Sequence, residues 1–356
     1  KRVLDFVKDV VSEQQDKVFH NAGYDIGWLK NEGIDVSGKI IDTMIVAPLI
    51  NENMFWYTLN SLGREYLQEG KSEAELRQAA EEWGLDPKAE MWRLPSAYVG
   101  TYATQDAALT LKLWNHFKIH LEDQNLWNVF ELEMRVLPVI LDMKQRGVRV
   151  DVERASILKK KLIAREKKII KEILDESGVK DIQLWAANSL AKVFDAMKLS
   201  YSRTPTGLPS FTKAFLENHT HPIAQKIREA REVNKTHSTF IDSILKHEHN
   251  GRIHAEIRQL KGESGGTVTG RLSMSNPNLQ QVPARNKEIG PLIRSLFLPE
   301  KGEQWCSADF SQQEPRILTH YANRSHYDGA ESVADAYQQG DADFHQEVAN
   351  LAGIDR

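Results

Sequence analysis

The chain has 356 residues, more than one domain usually holds, so two or three folded units are expected. Hydrophobic residues make up 41%, charged residues 27%, and the net charge is −4. That is the composition of an ordinary globular protein, and no apolar run nears the roughly 18 residues of a membrane span. The opening residues 1–11 lack the apolar core and cleavage site of a signal peptide. One cysteine, Cys306, excludes an internal disulfide and points to a reducing, cytoplasmic setting.

The elements alternate at first. A helix over 3–11 leads to a strand over 17–20, a short helix over 25–31 and a second strand over 39–42, the pattern of an α/β layer. Helices follow over 73–83 and 96–121, the second with Ser96 as its N-cap. A new unit begins near Leu126, with apolar residues at helical spacing up to Gly147 and a brief strand over 148–151. Two long helices, 153–176 and 222–247, carry amphipathic spacing. A strand over 253–257 precedes a Gly-, Ser-, Asn- and Pro-rich loop over 261–286, then a strand over 305–309 and a helix over 314–321. There is no internal repeat, low-complexity tract or metal-type Cys/His cluster.

Charge is unevenly spread. Residues up to about Asp123 are acidic, whereas Arg146, Arg149, Arg154, Lys159, Lys160, Lys161, Arg165, Lys167 and Lys168 form a basic stripe. Such a stripe binds phosphate even on an acidic protein, although it reads equally as a solvated helix face.

The first group of candidate residues is Asp25, after a strand where a helix starts, with Tyr102 and Asp106 four apart on one helix. Residues at i and i+4 share a face, and two carboxylates with a phenol suit hydrolysis by hard cations. Taken singly, Asp25 reads more readily as a helix cap and the Tyr102–Asp106 pair as a surface pair. The ordered set His20-Asn21, Tyr24-Asp25, Asp42-Thr-Met, Leu59-Asn-Ser-Leu and Tyr102-Ala…Asp106-Ala resembles the proofreading exonucleases of the DEDDy type. The resemblance implies a ribonuclease H-like fold, with Asp25 and Asp106 as metal ligands and Tyr102 orienting the attacking water. The family also carries an Asp-x-Glu pair on an earlier strand. Asp5 and Asp9 lie on the wrong helix to replace it, so the chain is expected to begin after that strand.

The second group is denser. Thr269-Gly-Arg-Leu-Ser273, Asn276-Pro-Asn-Leu-Gln-Gln-Val-Pro283, Arg285-Asn286 and Ser307-Ala-Asp-Phe-Ser-Gln-Gln-Glu-Pro-Arg316 resemble family A DNA polymerases of the bacterial DNA polymerase I type. The Gln-Gln-Glu-Pro-Arg form is similar to the phage-like branch. Asp309, at the end of a strand, can present a carboxylate to Mg²⁺ bridging a triphosphate. Arg271 and Arg285 are forks for phosphates and minor-groove acceptors, which Asn278 and Gln280 can also reach. The resemblance implies that Glu314 is the steric gate against a 2′-hydroxyl, and that Ser311, Gln312, His345 and Arg356 contact the nucleotide. It also makes the two long helices a thumb, with Lys159, Lys160, Lys161 and Lys235 on the DNA backbone.

The expected domains are an exonuclease over 1–124, the start of a polymerase domain over 125–150, a helical thumb over 151–250 and part of a mixed α/β palm over 251–356. Expected cofactors are Mg²⁺ or Mn²⁺, and expected partners primer–template DNA and deoxynucleoside triphosphates. No membrane is involved, and a monomer is expected. The fingers lysine and a second palm aspartate are not found, so the chain is read as a truncated replication polymerase with proofreading, inactive alone. Two other readings stand beside it: a stand-alone DEDD nuclease with a helical appendage, and a non-catalytic DNA-binding module. The Thr269–Arg316 block favours the polymerase, because a nuclease has no need of a steric-gate glutamate.

Overall fold

The computed structural model of the chain describes residues 2–71, 73–263, 265–283, 286–340 and 343–354. They divide into two compact units, Lys1–Leu298 and Pro299–Arg356. The chain opens with α1 (Arg2–Val11) and β1 (Lys17–Phe19). Helix α2 (Ala22–Asn31) crosses to β2 (Ile40–Asp42), which lies parallel to β1 with Phe19 opposite Asp42. A parallel pair needs such a crossover, and the alternation of elements in the sequence anticipated it. The apolar α3 (Thr43–Ile50) follows directly and is buried on nearly every side.

Three helices follow. Thr58 caps α4 (Leu59–Leu67), then come α5 (Ala74–Glu82) and the 28-residue α6 (Ser96–Asp123). Leu109, Leu113, Phe117 and Leu121 recur on one face of α6 and pack with Tyr57, Leu62 and Phe130 in the first core. Ser96 is not the N-cap: Pro95 holds that position and Ser96 is the first helical residue. Its side chain therefore makes no capping hydrogen bond.

Helix α7 (Trp127–Arg146) ends at Gly147, where φ is 59° and ψ −172°. A Cβ there would lie 2.7 Å from the Ile253 carbonyl oxygen, so only glycine lets the chain turn into β3 (Val148–Val150). Asp151 caps the long α8 (Val152–Ser177) and Gly178 ends it. A small lobe follows, made of α9 (Ala187–Ala196), the hairpin β4 (Ser202–Arg203) and β5 (Pro209–Ser210), and α10 (Lys213–Asn218). The chain returns along α8 as α11 (Pro222–Lys235). Leu162, Ile169 and Ile173 of α8 and Ile223, Ile227 and Val233 of α11 fill the second core. The helix expected over 222–247 is one run, but its middle, Thr236–Ile241, is wound as π-helix before α12 (Asp242–His247). Polar groups are buried there: Thr236 Oγ1 donates back to the Glu232 carbonyl at 2.6 Å, and His237 meets Glu166 at 2.5 Å.

Strands β6 (Glu248–His249) and β7 (Arg252–Ile253) form a hairpin whose β7 pairs with β3. The strand expected over 253–257 is two strands. After β7 the chain leaves that sheet, and β8 (Glu256–Arg258) pairs with β9 (Ser273–Ser275), inside the segment read as loop. Then α13 (Ile289–Arg294) leads to β10 (Phe297–Leu298), completing an antiparallel sheet of order β10-β3-β7-β6.

The second unit holds α14 (Gln313–Arg324), α15 (Ala330–Gln339) and α16 (Phe344–Ala352). The strand expected over 305–309 does not form. Residues 303–310 carry neither helix nor strand, and Trp305 and Phe310 are 61% and 80% exposed. A strand exists only within a ladder of N–H and C=O groups, and no strand among the described residues is laddered to this segment. Because Gly147 sits in a conformation closed to side chains, Gly147→Ala should cost about 2–3 kcal/mol in urea unfolding of the chain. An unchanged midpoint would refute this.

Candidate functional site

Asp42 anchors the first site. Its carboxylate is 2% exposed and accepts from Asn21 N at 2.9 Å, Ala22 N at 2.8 Å and Met44 N at 2.9 Å. Asn21 adopts φ 70°, a left-handed conformation that asparagine tolerates. One side chain thus stitches the β1–α2 turn to the start of α3 and sets the first turn of α2. Burial pushes Asp42 up to about 6, against its three N–H donors, with the Asp25 charge adding to the rise. Asp25 is solvent-exposed on α2, yet the protein around it removes enough water to hold its carboxyl above the ordinary range.

The neighbouring His20 has a definable tautomer. Thr43 Oγ1 donates to the Phe19 carbonyl at 3.0 Å, so it can only accept from His20 Nδ1, 2.9 Å away. The proton therefore sits on Nδ1 and Nε2 presents a lone pair. That nitrogen is buried with no hydrogen-bond partner, and Glu263 Oε1 approaches it to 4.0 Å. Burial holds His20 down at about 4, helped by the Lys71 ammonium and opposed by the Tyr57 backbone.

Tyr102 and Asp106, one turn apart on α6, meet on Lys71. Its Nζ donates to Asp106 Oδ2 at 2.6 Å and to the Tyr102 hydroxyl at 3.1 Å. The second carboxylate oxygen, Asp106 Oδ1, is buried without a partner. Burial raises the Tyr102 phenol, against the pull of Lys71. Asp25 makes no hydrogen bond or ion pair to Tyr102 or Asp106 among the described residues, where no three His, Cys, Asp or Glu side chains cluster as a metal cage. An orphaned carboxylate oxygen is nevertheless the donor a hard divalent cation takes, and such ions fill the rest of their shell with water and substrate oxygens. Asp106 Oδ1 fits Mg²⁺ or Mn²⁺ in that sense.

In Pro299–Arg356, Asp309, Ser311, Glu314 and His345 are exposed, with Glu314 in the first turn of α14. Gln312 serves the local fold: its Oε1 accepts from Phe344 N at 2.9 Å and from the Tyr337 hydroxyl at 3.2 Å. In Lys1–Leu298, Arg271 is exposed. Asn278 Oδ1 accepts from Gln280 N at 3.0 Å, and Gln280 Nε2 donates to the Leu272 carbonyl at 2.9 Å, which shapes their loop. Arg285 and Arg356 lie outside the described residues.

The basic stripe resolves by face. Lys159 is paired with Asp242 at 2.5 Å, and Arg165 with Glu229 at 2.6 Å and with Glu288. Lys160, Lys161, Lys167, Lys168 and Lys171 lie exposed along α8 and form no ion pair with the described residues. Lys235 is exposed at the end of α11, 5.9 Å over the Phe240 ring.

The Tyr102–Asp106–Lys71 group on a small α/β layer, followed by helices with an exposed basic face, is next set against known proteins. Residues 152–354 match DNA polymerase family A and residues 2–122 match a 3′-5′ exonuclease family. The chain belongs to DNA polymerase family A. It is 35% identical over 362 residues to a DNA-directed DNA polymerase of Pseudomonas phage M6, covering 96% of this chain and 54% of that protein. With DNA polymerase DpoZ of Salmonella phage PMBT28 the identity is 34%, over 99% of this chain and 59% of the relative. The chain thus spans between half and three fifths of these relatives. The POL domain of Pol1 from M. smegmatis, solved with DNA primer-template and dNTP, shares the fold: TM-score 0.71, 23% identity, 89% of this chain and 52% of that one. No helix among the described residues is long and apolar enough to cross a membrane.

Sequence reasoning gave no role to Lys71 or Glu263, and none to His20 and Asp42 beyond their place in a motif. The buried pair makes opposite demands on pH. His20, depressed in the fold, takes up fewer protons than in the unfolded chain between about pH 4 and 6.5, so its contribution is lost as pH falls through that window. Asp42, raised, binds more protons in the fold and contributes in the opposite sense between its ordinary value and about 6. His20→Gln should therefore destabilise the chain at pH 7, with the penalty shrinking by about 3 kcal/mol towards pH 4. Urea unfolding across that range measures it; a penalty constant with pH would contradict the neutral, buried His20.

Proposed function

We propose that the protein carries out template-directed DNA synthesis with 3′→5′ proofreading, as a cytoplasmic monomer acting on primer–template DNA and deoxynucleoside triphosphates. The observation that carries the reading is the Tyr102–Asp106 pair, whose Asp106 Oδ1 is buried and unpartnered. It stands on the same chain as the 152–354 polymerase match, which disfavours a nuclease acting alone.

In the first centre, Asp25 and Asp106 would hold Mg²⁺ or Mn²⁺, which supplies positive charge and an acidified water for phosphodiester hydrolysis. Lys71 donates to the Tyr102 oxygen, which leaves the phenol proton free to be given to a water or phosphate oxygen. In the second centre, Asp309 would hold the cation, Glu314 would wall off a 2′-hydroxyl, and Ser311, Gln312, His345 and Arg356 would contact the nucleotide. Arg271, Asn278, Gln280 and Arg285 contact the duplex near the primer end. Residues 151–250 form the thumb, whose Lys160, Lys161 and Lys235 grip phosphates without base preference, with Lys159 at the edge of that face.

Two measurements test this. Fluorescence anisotropy with unrelated primer–templates should show affinity falling steeply with salt, and Lys160→Glu/Lys161→Glu should weaken all sequences alike and lower the log–log salt slope by about 2. Unchanged affinity, or loss confined to one sequence, would count against the thumb. In primer extension by the full-length gene product, Asp309→Ala should remove at least about a hundredfold of the rate. Glu314→Ala should retain synthesis and lose discrimination against ribonucleotides; full discrimination in that variant would refute the gate.

A further inference from the structure

Lys71 lies in the short connection between α4 and α5, in no recognised motif, yet it is the group most firmly placed against Asp106. Its backbone N–H donates to Asn60 Oδ1 at 2.9 Å, which fixes the start of its side chain against α4. The preceding Gly70 packs so closely that a Cβ would lie 3.1 Å from Arg64 Nε and 3.3 Å from Asn60 Oδ1. The ion pair itself is largely withdrawn from water: the Lys71 side chain is 16% exposed and Asp106 23%. Two of the three ammonium protons are committed, one to Asp106 Oδ2 and one to the Tyr102 oxygen.

We propose that Lys71 is a built-in counter-ion of the first centre, holding Asp106 by Oδ2 in the cation-free protein and competing with the divalent ion for that carboxylate. The inference rests on the reading of Asp106 as a metal ligand. The two oxygens of Asp106 divide the roles. Oδ1, buried and without a hydrogen-bond partner, is the half left for a cation, while Oδ2 is held by the ammonium. Without Lys71 the centre would hold a nearly dehydrated carboxylate with no counter-charge whenever the ion is absent, a costly arrangement. With it, a doubly charged ion entering beside Asp106 meets a fixed positive charge in a water-poor pocket, where repulsion is poorly screened. The ammonium is fixed there by its bonds to Asp106 Oδ2 at 2.6 Å and to the Tyr102 hydroxyl at 3.1 Å. Metal affinity is thereby weakened, and the four-carbon stem gives the ammonium a way to swing aside once the ion is in place.

The test is Mn²⁺ binding to the 356-residue chain, followed by the loss of the free-ion EPR signal. Lys71→Gln keeps hydrogen-bond donors and removes the charge. It should tighten Mn²⁺ binding by about tenfold, whereas Lys71→Arg should stay within about twofold of the native chain. If Lys71 is only a latch between loop and helix, Lys71→Gln loosens Asp106 and Mn²⁺ binds no better or worse. That outcome overturns the proposal, as does an equal gain in Lys71→Arg. Should Lys71→Gln fail to fold by circular dichroism, Lys71→Met takes its place under the same criteria. Asp106→Asn separates the two layers. It should abolish this Mn²⁺ site in both backgrounds; if the site persists, the metal reading of Asp106 fails, and the Lys71 proposal with it. If Asp106→Asn abolishes the site but Lys71→Gln gives no gain, only the Lys71 proposal falls.

Discussion

One buried carboxylate governs the geometry of the first centre. Asp42 ends β2, caps α3 and binds the two N–H groups that open α2, so the two strand ends are joined by a single side chain. Removing it would leave three buried N–H groups unpaired, each a substantial cost. The arrangement has its own cost, since burial raises Asp42 towards protonation. Three donors on a dehydrated carboxylate are a compromise: enough to hold the turn, not enough to restore its ordinary acidity. His20 is fixed from the same place, because the Thr43 hydroxyl that orients it belongs to the helix that Asp42 caps.

What the sequence made legible follows from spacing. Tyr102 and Asp106 are four apart in a strongly helical stretch, so their shared face is a matter of helical period. Gly147, Asp151 and Gly178 punctuate helices in the usual way, and both long helices of the 151–250 segment were readable from apolar recurrence. Lys71 was not legible. It lies 31 and 35 positions from Tyr102 and Asp106, in a connection whose composition says only loop. The segment 305–309 failed for the opposite reason. Its composition suits a strand, but strand formation depends on a partner that local pattern does not contain.

Charge was legible in amount and not in disposition. The stripe in 144–171 includes residues spent inside the protein: Lys144 on Glu256 at 2.8 Å, Lys159 on Asp242, Arg165 on Glu229 and Glu288. Helical period separates these from Lys160, Lys161, Lys167, Lys168 and Lys171, which share the solvent side of α8. A phosphate backbone meets only the second set, so the count of basic residues overstates the binding face. The internal pairs tie α8 to α12, α11 and the 286–290 turn.

The two matched segments are also not independent within Lys1–Leu298. Residues 256–263, inside the polymerase match, run along α7 and the rim of the first centre. Gln259, 5% exposed, donates to the Glu133 carbonyl at 3.0 Å, and Lys261 donates to the Met54 carbonyl at 2.8 Å. Gly262 rests on Met44, where a Cβ would come within 3.4 Å of its sulfur. Next in the chain, Glu263 reaches the unpartnered nitrogen of His20. These ties are mostly polar and directional, so they fix register more than they add burial energy. The wall of the cavity lined by Asn21, Gly23, Asp42 and Met44 is therefore completed by a residue of the other segment. Whatever shifts the 256–275 hairpin shifts Glu263 with it, and a carboxylate withdrawn from His20 changes the field at a site built around Asp106 and Lys71. The two matched segments are thus fastened together through one short stretch of chain.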